Sequence, residues 1–515
     1  MSETVSIRRE RVCYDALSAV FRDGAYSAQA LNEALSSARK AAGGEKVGFL
    51  SEDSVYVTRL FYGVLEKNLT LEYVIGKLVS KRPKLSVYVI LKMGAYMIRY
   101  MSTPDYAIVD RCVELAKQLG KSGTSGFINA VLRKVSSIKL PESEEEDPGY
   151  LSFKCGLPVW LAEKFSAEYG ESTTEQIMRA EEFRTHIRLG NSVDAQKFEN
   201  ACSKVLNLAE SKTKFGYYVT HNALNKLLSD GILRKNDYAV QSLASATATH
   251  CYADGLKQGD KILDLCAAPG GKAVYLAELT GCKIIACDIH KHRLELIRSY
   301  AKRMGVEIET CLNDACVEKE KWLGAFDCVV CDVPCSGTGD LRSRPDILLW
   351  RTPEGVGELS KLQSRILRQA ARYVKPRGKL CYSTCSLLCE ENENVIEGFL
   401  RHNSEFALED CSFYGAEIVS NERCGKNNAN IETNDGVNND NIVNADGKKN
   451  IDLKNENNRA EIGLNDGAKT IDAVNVGAAD NDIISDIRKK SLKLLPHIHH
   501  TDGFFVCVLR KRSEA

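Results

Sequence analysis

The sequence predicts a multidomain protein, in which an all-α domain precedes an α/β domain built on a mostly parallel, seven-stranded sheet. Two patterns carry this prediction. Residues 5–138 repeat apolar side chains at helical spacing, whereas residues 236–402 alternate short apolar strands with helical stretches. A chain of 515 residues has room for about three domains. Its 44% apolar and 27% charged residues are ordinary for a globular protein, which excludes a wholly disordered chain.

The all-α domain is predicted to occupy residues 1–140. Breakers such as Gly43-Gly44 and Ser102-Thr103-Pro104 divide it into six or seven helices. Lys and Arg number 21 there against 13 Asp and Glu, a net charge of +8 on a chain that is neutral as a whole. This excess indicates a polyanionic partner, and solvated helix faces are the alternative interpretation.

Composition divides the remainder of the chain. An acidic run that ends in Pro-Gly indicates a linker at 141–149, and residues 150–235 are predicted to form a small intermediate α/β domain. The main α/β domain then spans residues 236–515. Within it, residues 421–483 are rich in Asn and hold no aromatic residue. We therefore expect a disordered surface insertion there, with a degenerate repeat as the alternative.

The cysteine content favours a reducing compartment. Nineteen cysteines in 515 residues fall far short of a disulfide scaffold, and their number is odd. The first residues lack an apolar signal core, and no apolar run is long enough to span a membrane. We therefore expect a cytoplasmic monomer with reduced thiols and no membrane segment.

The first chemical motif combines a strand, a Gly-rich turn and a helix in KILDLCAAPGGKAVYLAEL, Lys261–Leu279. Glycines let the backbone approach a ligand closely, and a helix N-terminus offers free N–H groups. Asp288, at the end of the next strand, is suited to ribose hydroxyls. Cys266 and Ala273 stand where a phosphate-binding P-loop requires Gly and Ser or Thr. With a P-loop excluded, the motif indicates a site for an adenosine-type ligand such as S-adenosylmethionine. The alternative is a tight strand–helix turn that binds no ligand.

The second motif, FDCVVCDVPCSGTGDLRSRPDILLWR, predicts a strand followed by a Gly-rich loop. Asp332 lies at the carboxyl end of the strand, where such sheets bind ligands, and Cys335 follows it. Cys328 and Cys331 have zinc-ligand spacing, but they lie within the apolar strand and no second pair is near, so we expect no metal. The loop also carries three arginines suited to phosphate groups, Arg342, Arg344 and Arg351.

The third motif, GKLCYSTCSLLCEENENVI, places Cys385 at the end of another strand. Cys335 and Cys385 are therefore expected at the same edge of the sheet, beside a methyl-donor site. A thiolate that adds to carbon-6 of cytosine makes carbon-5 able to attack an electrophilic methyl group. Protonation of N3 promotes this addition, so a carboxyl group such as that of Asp332 is useful. Spacing alone leaves open which cysteine attacks and which assists release.

DLCAAPGGK, DVPCSGTG and YSTCS together resemble the RNA 5-methylcytosine methyltransferases of the RsmB/Sun/Nop2 family. The helical residues 5–138 resemble the NusB-like RNA-binding module that is fused to the RsmB (Sun/Fmu) branch. The resemblance implies a Rossmann-like methyltransferase domain that uses S-adenosylmethionine and methylates one cytosine of 16S rRNA, at standard rRNA position 967. Two alternatives remain: a tRNA or 23S rRNA target, and a non-catalytic RNA-binding assembly or antitermination factor.

The same resemblance implies roles for individual residues. Cys385 corresponds to the nucleophile, and Cys335 to the cysteine that assists product release. Asp332 would lie by the methionine end of the donor and the target base, Asp288 by the ribose and Asp314 by the adenine. The donor-binding turn would comprise Cys266, Ala267, Ala268, Pro269, Gly270, Gly271 and Lys272.

Overall fold

The computed structural model describes residues 2–41, 51–142, 149–180, 185–423 and 480–513. Most of the predicted insertion at 421–483 lies outside the described residues, as do Gly43-Gly44 and most of the predicted linker. Over the ranges that are described, no helix is both long enough and apolar enough to cross a membrane.

Seven α-helices occupy the described part of residues 2–142, which confirms the all-α prediction. Helix α5 lies at the centre and packs against α1, α3, α4, α6 and α7. Every residue from Val87 to Met97 of α5 is buried, because a helix that is apolar on all sides has to be covered on all sides. The helices are α1 (Ser2–Asp23), α2 (Ser27–Ala41), α3 (Ser51–Glu66), α4 (Asn68–Gly76), α5 (Leu85–Tyr100), α6 (Asp105–Gln118) and α7 (Ser125–Leu132).

Three short helices connect the all-α domain to the rest of the chain. Their buried side chains share an apolar core with Leu341, Ile347 and Leu387 of the main α/β domain. These helices therefore pack on the main domain, although the sequence places them in the intermediate region. They are α8 (Tyr150–Cys155), α9 (Val159–Tyr169) and α10 (Glu171–Arg179).

A small antiparallel sheet follows, with strand order β2-β3-β1-β4. Its fourth strand lies beyond residue 235, where the sequence predicts the intermediate domain to end; that boundary stays a prediction. The elements are β1 (Thr185–Leu189), α11 (Ala195–Cys202), α12 (Leu208–Ser211), β2 (Lys212–Thr213), β3 (Gly216–Val219), α13 (His221–Ser229) and β4 (Tyr238–Val240).

The main sheet confirms the mostly parallel α/β prediction. Seven strands follow one another in the order β10-β12-β9-β8-β5-β6-β7, and an eighth, β11, pairs with β12 beside this path. The prediction of seven strands missed β11 because three residues are too few to form a recognisable strand pattern. The strands are β5 (Lys261–Asp264), β6 (Lys283–Asp288), β7 (Glu309–Leu312), β8 (Phe326–Asp332), β9 (Val374–Thr384), β10 (Phe406–Glu409), β11 (Leu492–Leu494) and β12 (Phe504–Lys511).

Strands β5 to β9 are parallel, whereas β10, β11 and β12 run antiparallel to their neighbours. Because β5 pairs with both β6 and β8, the strand order reverses beside it, and the loops at the carboxyl ends of these strands flank the position of the ligand crevice in sheets of this kind. The remaining helices are α14 (Leu243–Ala253), α15 (Gly271–Thr280), α16 (Lys291–Met304), α17 (Pro353–Tyr373), α18 (Glu393–Leu400), α19 (Phe413–Arg423), α20 (Asp480–Lys490) and α21 (Pro496–His499).

Candidate active site

The Gly-rich turn joins β5 to α15 at the crevice. Gly270 has φ +107°, a conformation that side chains disfavour, and a Cβ atom there would lie 3.2 Å from the Cα of Ile297 in α16. Gly271 begins α15, so the first N–H groups of this helix face the crevice beside Lys272. The turn is therefore built for close approach of a ligand to its backbone. It contains the predicted residues Cys266, Ala267, Ala268, Pro269, Gly270, Gly271 and Lys272.

Polar side chains follow β6 and β7 at the same edge. Asp288 is buried, and its Oδ1 accepts a hydrogen bond from the His290 N–H at 2.8 Å. Asp314 is exposed, and its Oδ1 accepts from the Cys316 N–H at 2.8 Å. The sequence did not identify Asn313, whose backbone N–H donates to the Asp288 carbonyl at 3.1 Å. Its buried Nδ2 lacks a hydrogen-bond partner among the described residues, which makes it a donor available to a ligand.

A lysine–aspartate pair lies between the Gly-rich turn and the end of β8. Lys272 Nζ donates to Asp332 Oδ2 at 2.8 Å, and Ser383 Oγ donates to Asp332 Oδ1 at 2.8 Å. Tyr252 OH in turn donates to Ser383 Oγ at 2.5 Å. The Phe504 ring lies 4.9 Å from Lys272 Nζ, within cation–π distance. Asp332 is thus held from both sides with a fixed orientation.

Burial and charge set the protonation of this region. Burial lowers the pKa of Lys272, but the Asp332 carboxylate outweighs it and holds that pKa above its ordinary value, so Lys272 is a cation at neutral pH. Burial, followed by the charge of Asp332, raises the pKa of Asp264 to about 7. Burial also raises the pKa of Cys266 well above its ordinary value, so Cys266 is a thiol.

The structure brings Cys335 and Cys385 into direct contact, with 3.1 Å between the two Sγ atoms. Parallel pairing of β8 with β9 sets Asp332 opposite Ser383, and each strand continues into a loop that carries one cysteine. The Gly339 N–H donates to the Cys385 carbonyl at 2.9 Å and ties the two loops together. The expectation that both cysteines leave the same edge therefore matches the observed geometry.

The two thiols have different surroundings. The hydrogen bond with Cys385, and then burial, raise the pKa of Cys335 well above its ordinary value. Lys272, held as a cation by Asp332, lies near enough to Cys385 for the two side chains to interact electrostatically. Cys335 is therefore suited to be the thiol that donates a hydrogen bond to the neighbouring sulfur.

Arg351 supports the backbone of the Cys335 loop. Its Nε donates to the Ser336 carbonyl at 2.8 Å and its Nη2 to the Cys335 carbonyl at 3.3 Å. From the sequence, we expected Arg351 to bind phosphate groups. In the structure, its guanidinium instead binds backbone carbonyls of the loop.

The segment before Arg351 contacts the all-α domain. Ser27 Oγ donates to the buried Asp346 carboxylate at 2.6 Å, and the Arg344 guanidinium lies 5.5 Å from the Tyr26 ring centroid. Leu349 packs against the core of the all-α domain. One segment therefore connects that domain to the loop that carries Cys335.

The cysteine pair considered for zinc lies inside the sheet. Cys328 and Cys331 are buried in β8, and Cys328 Sγ lies 3.8 Å from Cys381 Sγ of β9. Throughout the part of the chain that is described, no group of three or more His, Cys, Asp or Glu residues has the geometry of a metal site.

Two family models match separate parts of the chain. The model described as 16S rRNA methyltransferase RsmB/F matches residues 253–444, and the NusB family model matches residues 10–137. Together they cover the crevice and the all-α domain.

Named relatives cover most of the chain. A Bacillus subtilis (strain 168) protein named probable ribosomal RNA small subunit methyltransferase B is 31% identical over 370 residues, which cover 68% of this chain and 80% of that protein. An Erwinia tasmaniensis protein named ribosomal RNA small subunit methyltransferase B is 30% identical over 393 residues, or 74% and 88% of the two chains. The crystal structure of PH0851 is similar in fold, with a TM-score of 0.69, 21% identity and coverage of 99% of this chain and 100% of that one.

Proposed function

The chain belongs to the ribosomal RNA small subunit methyltransferase B family, and from this premise we propose that it forms 5-methylcytosine in 16S rRNA, at position 967. The observation that carries the proposal is the contact of two thiols, 3.1 Å apart, beside the Lys272–Asp332 pair. Carbon-5 methylation of cytosine needs one sulfur that adds to the ring and later leaves it, and a second thiol beside that sulfur can assist its departure. The proposal takes the chain to act as a monomer.

S-adenosylmethionine is the methyl donor. The residues present fit it: Gly270 and Gly271 leave room at the backbone, the buried Asp288 suits ribose hydroxyls, and Asn313 Nδ2 is an available donor. Asp314 lies at the same edge, next to Asn313, and we assign it to the adenine. When bound, the donor supplies an electrophilic methyl group.

The chain's own residues account for the activation of the cytosine. The Cys385 thiolate adds to carbon-6, which forms a carbon–sulfur bond and leaves carbon-5 nucleophilic. The proton lost by the Cys385 thiol is balanced by one taken up at N3. The Asp332 carboxylate, oriented by Lys272 and Ser383, would accept a hydrogen bond from this N3–H group and so make carbon-6 a better electrophile.

Release requires the reverse step. The proton on carbon-5 passes to solvent, the carbon–sulfur bond breaks as the ring double bond re-forms, and the electron pair returns to Cys385. The proton added at N3 is then given back, which leaves neutral 5-methylcytosine. The Cys335 S–H group, in contact with the Cys385 sulfur, stabilises the departing thiolate by a hydrogen bond. Cys335 therefore assists release, which agrees with its raised pKa.

RNA binding fits the surface beside the catalytic loops. A cavity of about 610 Å³ lies between the all-α domain, α8–α10 and the segment before Arg351. Proteins recognise the phosphate groups of nucleic acids with basic side chains. Four basic residues line the cavity, Lys67, Lys154, Arg179 and Arg342, together with the acidic Glu66. Lys154 and Arg179 also pair with Glu175, which reduces the net positive charge there.

The test is methyl transfer from labelled S-adenosylmethionine to protein-free 16S rRNA, with tRNA and 23S rRNA as competing substrates. Label at one 16S cytosine is the expected result. Label on tRNA or 23S rRNA would overturn the target while keeping the reaction. No label on any RNA, despite donor binding measured by calorimetry, would favour an RNA-binding assembly factor instead.

A further inference from the structure

One fully buried carboxylate faces both cysteine loops. Glu391 is 0% exposed and ends the short 3₁₀ turn Cys389–Glu391. Its Oε1 accepts a hydrogen bond from the Ser336 N–H at 2.8 Å, and its Oε2 accepts from the hydroxyls of Ser336 and Ser386, both at 2.5 Å. Ser336 directly follows Cys335, and Ser386 directly follows Cys385. A single side chain therefore connects the two loops at the residues next to the thiols.

The carboxylate is itself held firmly in place. Gln363 Nε2, from α17, donates to Glu391 Oε1 at 3.0 Å and to the Pro334 carbonyl at 2.9 Å. Tyr382 OH donates to the backbone carbonyl of Glu391 at 2.5 Å. Among the described residues, the donors to this carboxylate are the neutral groups of Ser336, Ser386 and Gln363. Burial of a carboxylate carries a desolvation cost that a neutral side chain of similar shape would not carry, so stability alone does not account for a buried glutamate here.

We propose that Glu391 is the positioning residue of the thiol pair: its carboxylate holds Ser336 and Ser386 together and thereby fixes the contact between Cys335 and Cys385. This inference rests on the proposed function, because it explains how Cys385 and Cys335 come to have different roles in the reaction. Glu391 acts through the serines and touches neither thiol in the hydrogen-bond network described here.

The charge of Glu391 adds to this geometry. It contributes to the raised pKa of Cys335, after the hydrogen bond with Cys385 and burial. Lys272 acts on the other member of the pair, Cys385. The Glu391 charge therefore favours the protonated form of Cys335, while the Lys272 cation lies on the Cys385 side of the pair. The two cysteines are thus made unequal by residues outside the pair.

The experiment compares Glu391→Gln with Glu390→Gln. Glu390 is the adjacent residue of the same turn and pairs with Lys164 of α9, so its replacement makes the same chemical change away from the cysteine loops. Alkylation of Cys335 and Cys385 by iodoacetamide is followed by mass spectrometry over a range of pH, without RNA. Thermal unfolding of each variant is recorded alongside.

In Glu391→Gln we expect Cys335 to be alkylated about tenfold faster at pH 8, because the thiolate reacts and the pKa of Cys335 should fall by about one. Glu390→Gln should stay within about twofold of the wild type. A wild-type alkylation rate for Cys335 in a folded Glu391→Gln protein would overturn the proposal. Alkylation is measured without methyl transfer, so its result can be interpreted even if the proposed function is wrong.

Ser386→Ala provides a second test of the positioning role, which can be used even if Glu391→Gln does not fold. It removes one donor and keeps the carboxylate, so Cys335 should remain slow to alkylate. Methyl transfer should show a kcat about tenfold lower, with KM for RNA and donor unchanged, because neither substrate contacts this serine in the proposed arrangement. An unchanged kcat would refute the positioning role, and absence of transfer in the wild type would refute the proposed function instead.

Discussion

Replacement of Lys272 by Met tests the ion pair that orients Asp332. Lys272 Nζ donates to Asp332 Oδ2 at 2.8 Å in a largely enclosed site, so its loss leaves Ser383 as the remaining side-chain donor to that carboxylate. A hydrogen bond to a charged group contributes about 1.5–3 kcal/mol. If this contribution is made in the transition state, kcat should fall roughly 10- to 150-fold. Single-turnover methyl transfer at saturating donor and RNA measures this quantity.

The matched control is Lys375→Met. Lys375 pairs with Asp327 at 2.7 Å, where β8 and β9 begin, at the end of these strands opposite the crevice. This pair is more exposed, so its removal should change stability by less than about 1 kcal/mol and the transfer rate by less than about twofold. A Lys272→Met enzyme that keeps more than about a third of the wild-type rate would refute the argument, as would equal losses in the two variants.

Three further changes have calculable outcomes. Gly270→Ala forces a side chain into a φ of +107° and against Ile297, so calorimetry should record donor binding weakened by about tenfold or more. The folded protein holds a proton on Asp264 up to about pH 7, whereas the unfolded chain loses it near 3.8, so stability should fall as the pH rises through this window. Asp264→Asn should flatten that dependence in denaturant titrations at pH 5 and pH 8, and an unchanged slope would contradict the cause assigned. Ser27→Ala leaves the buried Asp346 without its hydroxyl donor, so the domain junction should lose about 1–3 kcal/mol, measured as faster proteolysis between the two domains.

The sequence predicted the elements whose patterns are local. The strands at β5, β6, β8, β9 and β12 are continuous apolar runs, and the all-α domain repeats its apolar residues at helical spacing. Strand β11 was missed because it has three residues. The packing of α8–α10 on Leu341 and Leu387 could not be read from the chain, because those partners lie more than 150 residues away.

The candidate site also has features that the sequence predicts and features that only the fold creates. The Gly-rich turn and the placement of Cys335 and Cys385 at one edge follow from parallel strands, whose carboxyl ends meet at the same side of a sheet. The roles of Asn313 and Glu391 depend on burial and on partners that only the folded chain brings together. Spacing also treats the two cysteines as equivalent. The groups that surround each cysteine, such as Glu391 and Lys272, come from distant parts of the chain, so no local pattern records them.

The central claim is that Cys385 forms a covalent bond to cytosine and that Cys335 assists its release. The most direct measurement incubates 16S rRNA and labelled S-adenosylmethionine with the wild type, Cys385→Ala and Cys335→Ala, and resolves the products on a denaturing gel. We predict labelled free RNA for the wild type, no label for Cys385→Ala despite donor binding, and a labelled protein–RNA adduct for Cys335→Ala. Methyl transfer by Cys385→Ala, or free labelled RNA without adduct from Cys335→Ala, would contradict the account.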